Sequence, residues 1–164
     1  MIVAVLLEQI AILGHGFVIA LLVAVIICDL RLMRLPNLLV LLFVMVFATT
    51  VAWTLPLSEL VWRVGVALAV LLVGAAANAA KLMGGGDAKI IAALVLFFPR
   101  ESLLYFAFVF CICMIVGIVG LLVLRRFLRT KNPTWRGLKD GERYPMGLSI
   151  GIAGLITVFL QMNR

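Results

Sequence analysis

The stretch LLYFAFVFCICMIVGIVGLLVL, Leu103–Leu124, decides the fold class because it contains no charged residue over 22 consecutive positions. A transmembrane α-helix needs about 20 mostly apolar residues. The rest of the chain has the same character, since 66% of its 164 residues are hydrophobic and only 13% are charged. Soluble domains have about 45–50% apolar and about 25% charged residues. The composition predicts an all-α, polytopic membrane protein, and the length favours a single domain, residues 1–164.

Six segments are apolar enough to be predicted as transmembrane helices. The fourth has only 11 residues, which at about 1.5 Å each cover half of a ~30 Å hydrocarbon core. It spans the membrane only if neighbouring helices shelter one of its ends, and a re-entrant segment with five spans in all is the alternative. The predicted segments run approximately over Ile10–Cys28, Leu35–Trp53, Leu60–Ala80, Ala88–Phe98, Leu103–Leu124 and Met146–Leu160.

The positive charges favour six spans with the amino terminus outside. In that topology the inner side carries eleven Lys and Arg residues and the outer side carries three, as expected when basic loops stay in the cytoplasm. Seven of the fourteen basic residues lie between Arg125 and Arg143. We interpret residues 125–144 as a basic cytoplasmic loop with an extended course along the membrane surface. In a chain this apolar, that interpretation is favoured over nucleic-acid binding.

The cysteines and the first apolar segment give no sign of other chemistry or processing. None of Cys28, Cys111 and Cys113 lies in a C-x-x-C pair, which argues against a zinc site. We expect no metal and no cofactor. No Lys or Arg precedes Arg31, so we interpret the first segment as a retained span and not as a signal peptide.

Two of the seven acidic residues stand at the ends of apolar runs on the same predicted side. Asp29 closes the first span in CDLRLMRLPN, and Asp87 opens the fourth in KLMGGGDAKI. Ionisable residues at membrane depth are costly and are functional candidates by default. The structural alternative is that Asp87 is a helix N-cap after a turn at Gly84–Gly86 and that Asp29 pairs with Arg31 or Arg34.

Two carboxylates held close together can catalyse peptide hydrolysis. Like charges cannot both ionise cheaply, so the pKa of one carboxyl rises and the pair shares a proton. The ionised partner can take a proton from water, and the protonated partner can polarise the peptide carbonyl. This is the chemistry of an aspartic protease.

The segments around both aspartates resemble motifs of the type IV prepilin peptidase family. MGGGDAK matches the G-x-G-D motif of intramembrane aspartic proteases. DLRLMRLPN resembles the family's first-aspartate motif, in which Pro and Asn follow the acid by seven and eight residues. RYPMG resembles the start of the family's last span, with Met146 where Tyr is common. The chain lacks the large cytoplasmic insert with paired C-x-x-C motifs, so it is similar to the short form associated with Flp-type, tight-adherence pili.

The resemblance covers nearly the whole chain and implies a catalytic pair, Asp29 and Asp87. It implies prepilin and pseudopilin substrates, cut just before their hydrophobic helix at the cytoplasmic face of the inner membrane. The glycines before Asp87 would let an extended substrate backbone approach the carboxylate. A cation at Lys89 would lower the pKa of a nearby carboxylate, unless this lysine only reaches the membrane edge. The supporting residues implied are Gly84, Gly86, Lys89, Pro36 and Asn37.

Two other functions remain compatible with the paired acids. A small ion transporter or channel component would use them to line a cation path, although transporter sites tend to lie near the membrane midplane. A non-catalytic assembly protein would use both acids as helix caps. His15, the only histidine, is predicted in the outer half of the first span, where we expect a packing or hydrogen-bonding role.

Overall fold

The computed structural model describes residues 2–128 and 144–163, and side chains within 13–127 and 144–163; all regular elements in these ranges are helical. A π-helical turn, Phe47–Val51, and a 3-10 turn, Ala52–Thr54, continue the second helix. The predicted all-α class and the order of six helices are confirmed. The helices are α1 Ile2–Leu32, α2 Asn37–Val46, α3 Leu57–Ala79, α4 Gly85–Val95, α5 Arg100–Leu128 and α6 Met146–Met162.

Proline marks the start of four of these helices. Pro36, Pro56 and Pro145 are the N-cap residues of α2, α3 and α6, and Pro99 directly precedes α5. Proline has no backbone N–H, and the first turn of a helix needs none there, so it is tolerated at helix starts and excluded from helix interiors. The prolines therefore set where the chain turns back into the bundle.

Within the described residues, four helices are long and apolar enough to cross a membrane: Leu13–Leu32, Asn37–Thr54, Leu57–Ala79 and Arg100–Phe127. The helix α6 is shorter, and α4 has only 11 residues. A run from Ala92 to Phe98 is buried, because α4 packs against α2, α3 and α6. The short fourth segment is therefore sheltered by its neighbours, as its length requires.

The apolar surface of the bundle faces outward as well as inward. On α3, Leu72 is 71% exposed, and on α5, Phe108 is 65% exposed. A soluble domain rarely leaves contiguous apolar patches of this extent uncovered, whereas a helix in lipid satisfies its backbone internally and can expose any apolar side chain. The protein is a multi-pass membrane protein.

Several helices extend past the approximate ends predicted for the spans. The first helix does not stop at Cys28 but continues to Leu32, so Asp29 lies inside its last two turns. The fifth helix continues past Leu124 to Leu128, so Arg125 is helical and not part of an extended loop. Basic side chains are favourable in the last turn of a helix because they face its free carbonyl groups. Residues 129–143 of the predicted basic loop lie outside the described residues.

Candidate active site

Asp29 is placed by the contact of α1 with the start of α6. Its residue surface is only 5% exposed, and its carboxylate accepts hydrogen bonds from the backbone N–H groups of Gly147 and Leu148. These groups belong to the first turn of α6, where N–H donors are largely free to bind other groups, although the Leu148 N–H also contacts the carbonyl of Pro145 at 3.3 Å. The positive end of the α6 dipole thus faces the Asp29 carboxylate.

Gly147 makes this approach possible. A Cβ atom at position 147 would lie 2.7 Å from Oδ2 and 2.8 Å from Cβ of Asp29, which is closer than real Cβ contacts allow. Within the described part of the chain, Oδ2 of Asp29 is buried and has no hydrogen-bond partner. A buried acceptor without a partner is unfavourable unless a ligand or water donates a hydrogen bond to it.

Asp87 is the third residue of α4, and Gly84 is the N-cap. The alternative in which Asp87 itself is the N-cap is therefore wrong, although its carboxylate does accept a hydrogen bond from the backbone N–H of Gly84. In a capping box, the side chain of the third helical residue accepts the same hydrogen bond from the N-cap backbone N–H. A Cβ atom at Gly84 would collide with Oδ2 of Asp87, so this glycine makes room for the carboxylate.

The second glycine of the G-x-G-D motif, Gly86, allows a close contact between two segments of the chain. A Cβ atom at Gly86 would lie 3.1 Å from Cβ and 3.3 Å from the carbonyl oxygen of Leu35. The glycine thus lets the turn between α1 and α2 pack closely on the start of α4. This packing fixes the Asp87 end of α4 near the Asp29 end of α1.

Both aspartates line one cavity of about 350 Å³ at this end of the bundle. Burial and, second, the negative charge of Asp29 raise the pKa of Asp87 to about 7, while the hydrogen bond from Gly84 acts in the opposite direction. Two carboxyl groups that share a cavity in this way favour a state with one proton between them. The remaining lining residues are Met33, Lys81, Leu82, Met83, Gly84, Met114, Ile118, Tyr144 and Met146.

Two lining residues have left-handed backbone conformations without being glycine. Met33 has a φ of 51° and Lys81 a φ of 61°. Met33 ends α1 with a hydrogen bond from its N–H to the carbonyl of Asp29, 2.9 Å. Lys81 ends α3 in a Schellman motif, with the Leu82 N–H bound to the carbonyl of Ala77 at 2.9 Å. Glycine is the usual residue at such positions, so the sequence carried no signal for these turns.

Tyr144 lines the cavity and contacts Ser149 of α6 behind it. Their hydroxyl groups are 2.5 Å apart, and Ser149 also donates to the carbonyl of Cys113 at 3.0 Å. A Cβ atom at Gly117 would collide with the Tyr144 hydroxyl. Sequence reasoning singled out the RYPMG segment without assigning roles to Tyr144, Ser149 or Gly147.

Comparison with known families identifies the chain. A sequence profile of the type IV leader peptidase family matches residues 16–121, which is more than half of its length. The chain belongs to the type IV leader peptidase family. It is therefore a peptidase, a class of hydrolase. Searches of curated proteins and of solved structures gave no match.

The supporting residues of this leader peptidase family member connect α4 with α2. Lys89 donates a hydrogen bond from Nζ to the side-chain oxygen of Asn37, 3.0 Å, and Pro36 and Asn37 begin α2. The influences found on the pKa of Asp87 are burial, Asp29 and the Gly84 N–H. The geometry thus gives Lys89 a contact between helices, and its predicted role in tuning Asp87 stays a prediction.

His15 lies at the other end of the bundle, where it lines a separate cavity of about 390 Å³ with Arg63 and Glu101. The buried Arg63 donates to Glu59 at 3.1 Å and to the carbonyl of Leu96 at 3.3 Å. The contact with Leu96 holds the start of α3 near the end of α4. The candidate active site and His15 therefore lie at different ends of the bundle, as the sequence predicts.

Proposed function

We propose that this protein is an aspartic endopeptidase that removes the leader peptide of Flp-type type IV prepilins and pseudopilins at the cytoplasmic face of the inner membrane. The observation that carries the proposal is the single cavity lined by both Asp29 and Asp87. Family membership supports a peptidase acting on leader peptides, and the cavity offers the paired carboxyl groups that such a reaction needs without a metal or cofactor.

In the proposed reaction, Asp29 is the ionised partner and Asp87 carries the proton. Burial of Asp29 opposes a negative charge, and the two N–H groups from α6 partly offset this. The pKa of about 7 keeps Asp87 protonated in mildly acidic to neutral solution. Asp29 removes a proton from water, and the water oxygen attacks the scissile carbonyl carbon. Asp87 gives its proton to the carbonyl oxygen, which forms a neutral gem-diol.

Collapse of the gem-diol completes the cleavage. The carbon–nitrogen bond breaks, the amine nitrogen takes the proton that Asp29 received from water, and Asp87 recovers a proton from the diol hydroxyl as the carboxylic acid forms. Atoms and charges balance without a covalent intermediate. The dyad returns to its starting protonation state.

The placement of basic residues supports the proposed orientation. Arg31, Arg34, Lys81 and Lys89 all belong to the turns and helix ends around the two aspartates. Lys and Arg are enriched in loops that stay in the cytoplasm. A cytoplasmic site would meet a leader peptide before it crosses the membrane.

The experiment is to co-express a prepilin with Asp29→Asn or Asp87→Asn and follow conversion of precursor to mature pilin. We expect each substitution to reduce cleavage by at least about 100-fold, because acid–base groups contribute that much, while the protein still inserts. Glu101→Gln is the matched control, since Glu101 is exposed at the other end of the bundle. Full processing by either Asn variant would refute the catalytic pair.

A further inference from the structure

An apolar groove between α3 and α4 adjoins the cavity of the two aspartates. Its volume is about 340 Å³. Met83 lines both the groove and the cavity, so the two spaces adjoin at this side chain. The other residues along the groove are Ala69, Val70, Val73, Gly74, Ala77, Ala88 and Ile91.

Small residues form the floor of this groove. A Cβ atom at Gly74 would lie 2.5 Å from Cβ of Ala88 and 3.3 Å from its Cα, so α3 and α4 approach each other closely here. Small side chains at a helix surface let a further transmembrane helix pack near the backbone. From Ala77 to Ala69 the groove follows α3 for about 12 Å at 1.5 Å per residue, which is about two helical turns away from the cavity.

The cavity supplies an independent sign of a ligand. Oδ2 of Asp29 is buried and, in the described part of the chain, has no hydrogen-bond partner, although the residue is only 5% exposed. A peptide bound beside this carboxylate can continue past Met83 into the groove. Surrounded by hydrocarbon, the continuing backbone must satisfy its own N–H and C=O groups and therefore has to be helical.

We propose that the α3–α4 groove binds the apolar helix of the substrate that directly follows the scissile bond. The inference rests on the proposed function, because it places the two sides of the cut in two adjoining spaces. The extended peptide around the cut occupies the cavity, and the first two turns of the following helix occupy the groove. The groove thus selects substrates in which a membrane helix begins next to the cut.

The first test fills the groove with Ala77→Leu or Ala69→Leu. Ala75→Leu is the matched control, because Ala75 is exposed on the opposite face of α3 and has the same change in volume. Two substrates are compared: a full-length prepilin in liposomes, and a soluble peptide that spans the cut and ends before the apolar helix. Insertion and folding are checked by size-exclusion chromatography in detergent.

We expect the groove variants to raise KM for the full-length prepilin about tenfold with little change in kcat, the sign of lost substrate binding. The soluble peptide should be cleaved equally by the wild type, both groove variants and the control. Unchanged cleavage of full-length prepilin by both groove variants would overturn the docking site. An equal loss with both substrates would also overturn it, because the defect would then lie at the aspartates.

The second test needs no cleavage, so it separates this inference from the proposed function. An Asp87→Asn protein without native cysteines carries Val70→Cys, and the prepilin carries one cysteine in the first two turns of its apolar helix. A bismaleimide should cross-link the Val70→Cys protein to the prepilin. The Leu72→Cys protein, with its cysteine on another face of α3, should not be cross-linked to the prepilin. Failure of the Val70 pair, or equal cross-linking at both positions, would refute docking in the groove even if Asp29 and Asp87 prove catalytic.

Discussion

Because residue 147 is a glycine, the Asp29 carboxylate can contact the backbone at the start of α6. The carboxylate of Asp29 receives N–H groups from Gly147 and Leu148, and any larger residue at 147 would press on the same carboxylate. Backbone donors at a helix start are rigid, and so the charge that they stabilise stays in place through a reaction. The glycine acts through Asp29 and is a positioning residue.

Gly147→Ala should reduce prepilin cleavage about 10- to 100-fold, because a shift of about 1 Å in a catalytic group has an effect of that size. The added methyl would lie 2.7 Å from Oδ2 of Asp29, so the carboxylate or α6 must move. Gly120→Ala is the control: the same change on α5 meets nothing within 4 Å and should keep full activity. Wild-type cleavage by Gly147→Ala would show that this contact has no part in the reaction.

The raised pKa of Asp87 predicts that the rate of cleavage falls at alkaline pH. Its pKa is raised to about 7, so it is protonated below that pH and ionised above it. The proposed reaction needs one proton on the pair, so cleavage should fall as the pH rises through about 7, by about tenfold per unit once Asp87 is mostly ionised. Initial rates in liposomes between pH 5 and 9 measure this, and a constant rate up to pH 9 would contradict it.

At the scale of elements, α4 is held at the site by contacts with α2, which is distant in sequence, and with its neighbour α3. Gly86 packs against Leu35 at the turn before α2, and Lys89 binds Asn37 in the first turn of α2 at 3.0 Å. The close contact of Gly74 with Ala88 adds α3. A helix of 11 residues gains little stability from its own length, so these contacts determine the position of Asp87.

A double-mutant cycle tests the contact between Lys89 and Asn37. Lys89→Met and Asn37→Leu should each lower the midpoint of thermal unfolding, and the double variant should be no less stable than the worse single variant. The side chains are exposed, so the expected coupling is only about 0.5 kcal/mol. Fully additive effects would show that the hydrogen bond contributes nothing to stability. Prepilin cleavage by the same variants reports whether the contact also positions Asp87.

The whole molecule has two unlike ends. One end holds the aspartates among Lys and Arg side chains, and the other holds the ion pairs of Glu59 with Arg63 and Arg100, at 3.1 Å and 3.6 Å. Arg100 also lies over the ring of Trp62, 4.3 Å from its centre. Tryptophan is enriched where helices leave the hydrocarbon core, so this end marks one surface of the membrane.

The proposed orientation predicts which end is reached from outside the cell. In a protein without Cys28, Cys111 and Cys113, a membrane-impermeant maleimide should label Trp53→Cys in intact cells and Leu82→Cys only after the cells are opened. Both positions are well exposed, at 80% and 79%. Labelling of Leu82→Cys in intact cells would place the aspartates on the outer side and contradict a cytoplasmic site.

The amino-acid sequence was sufficient to predict the helical membrane bundle and its six segments. Long apolar runs such as Leu103–Leu124 leave the backbone no alternative to a helix in lipid, and the prolines mark where helices begin. The order of the two acidic motifs was also sufficient to indicate the family. Helix ends were less predictable, because Met33 and Lys81 end their helices in conformations that normally favour glycine.

Only the tertiary structure brought Asp29 and Asp87 to one cavity and supplied the partners of each. The sequence by itself determined which residues can carry charge at the membrane edge, because an unneeded carboxylate there is strongly unfavourable. It did not determine that α6 faces Asp29 through Gly147, or that Gly86 packs on Leu35. Such contacts join segments far apart in the chain, and they depend on how close two backbones come, which no local pattern encodes.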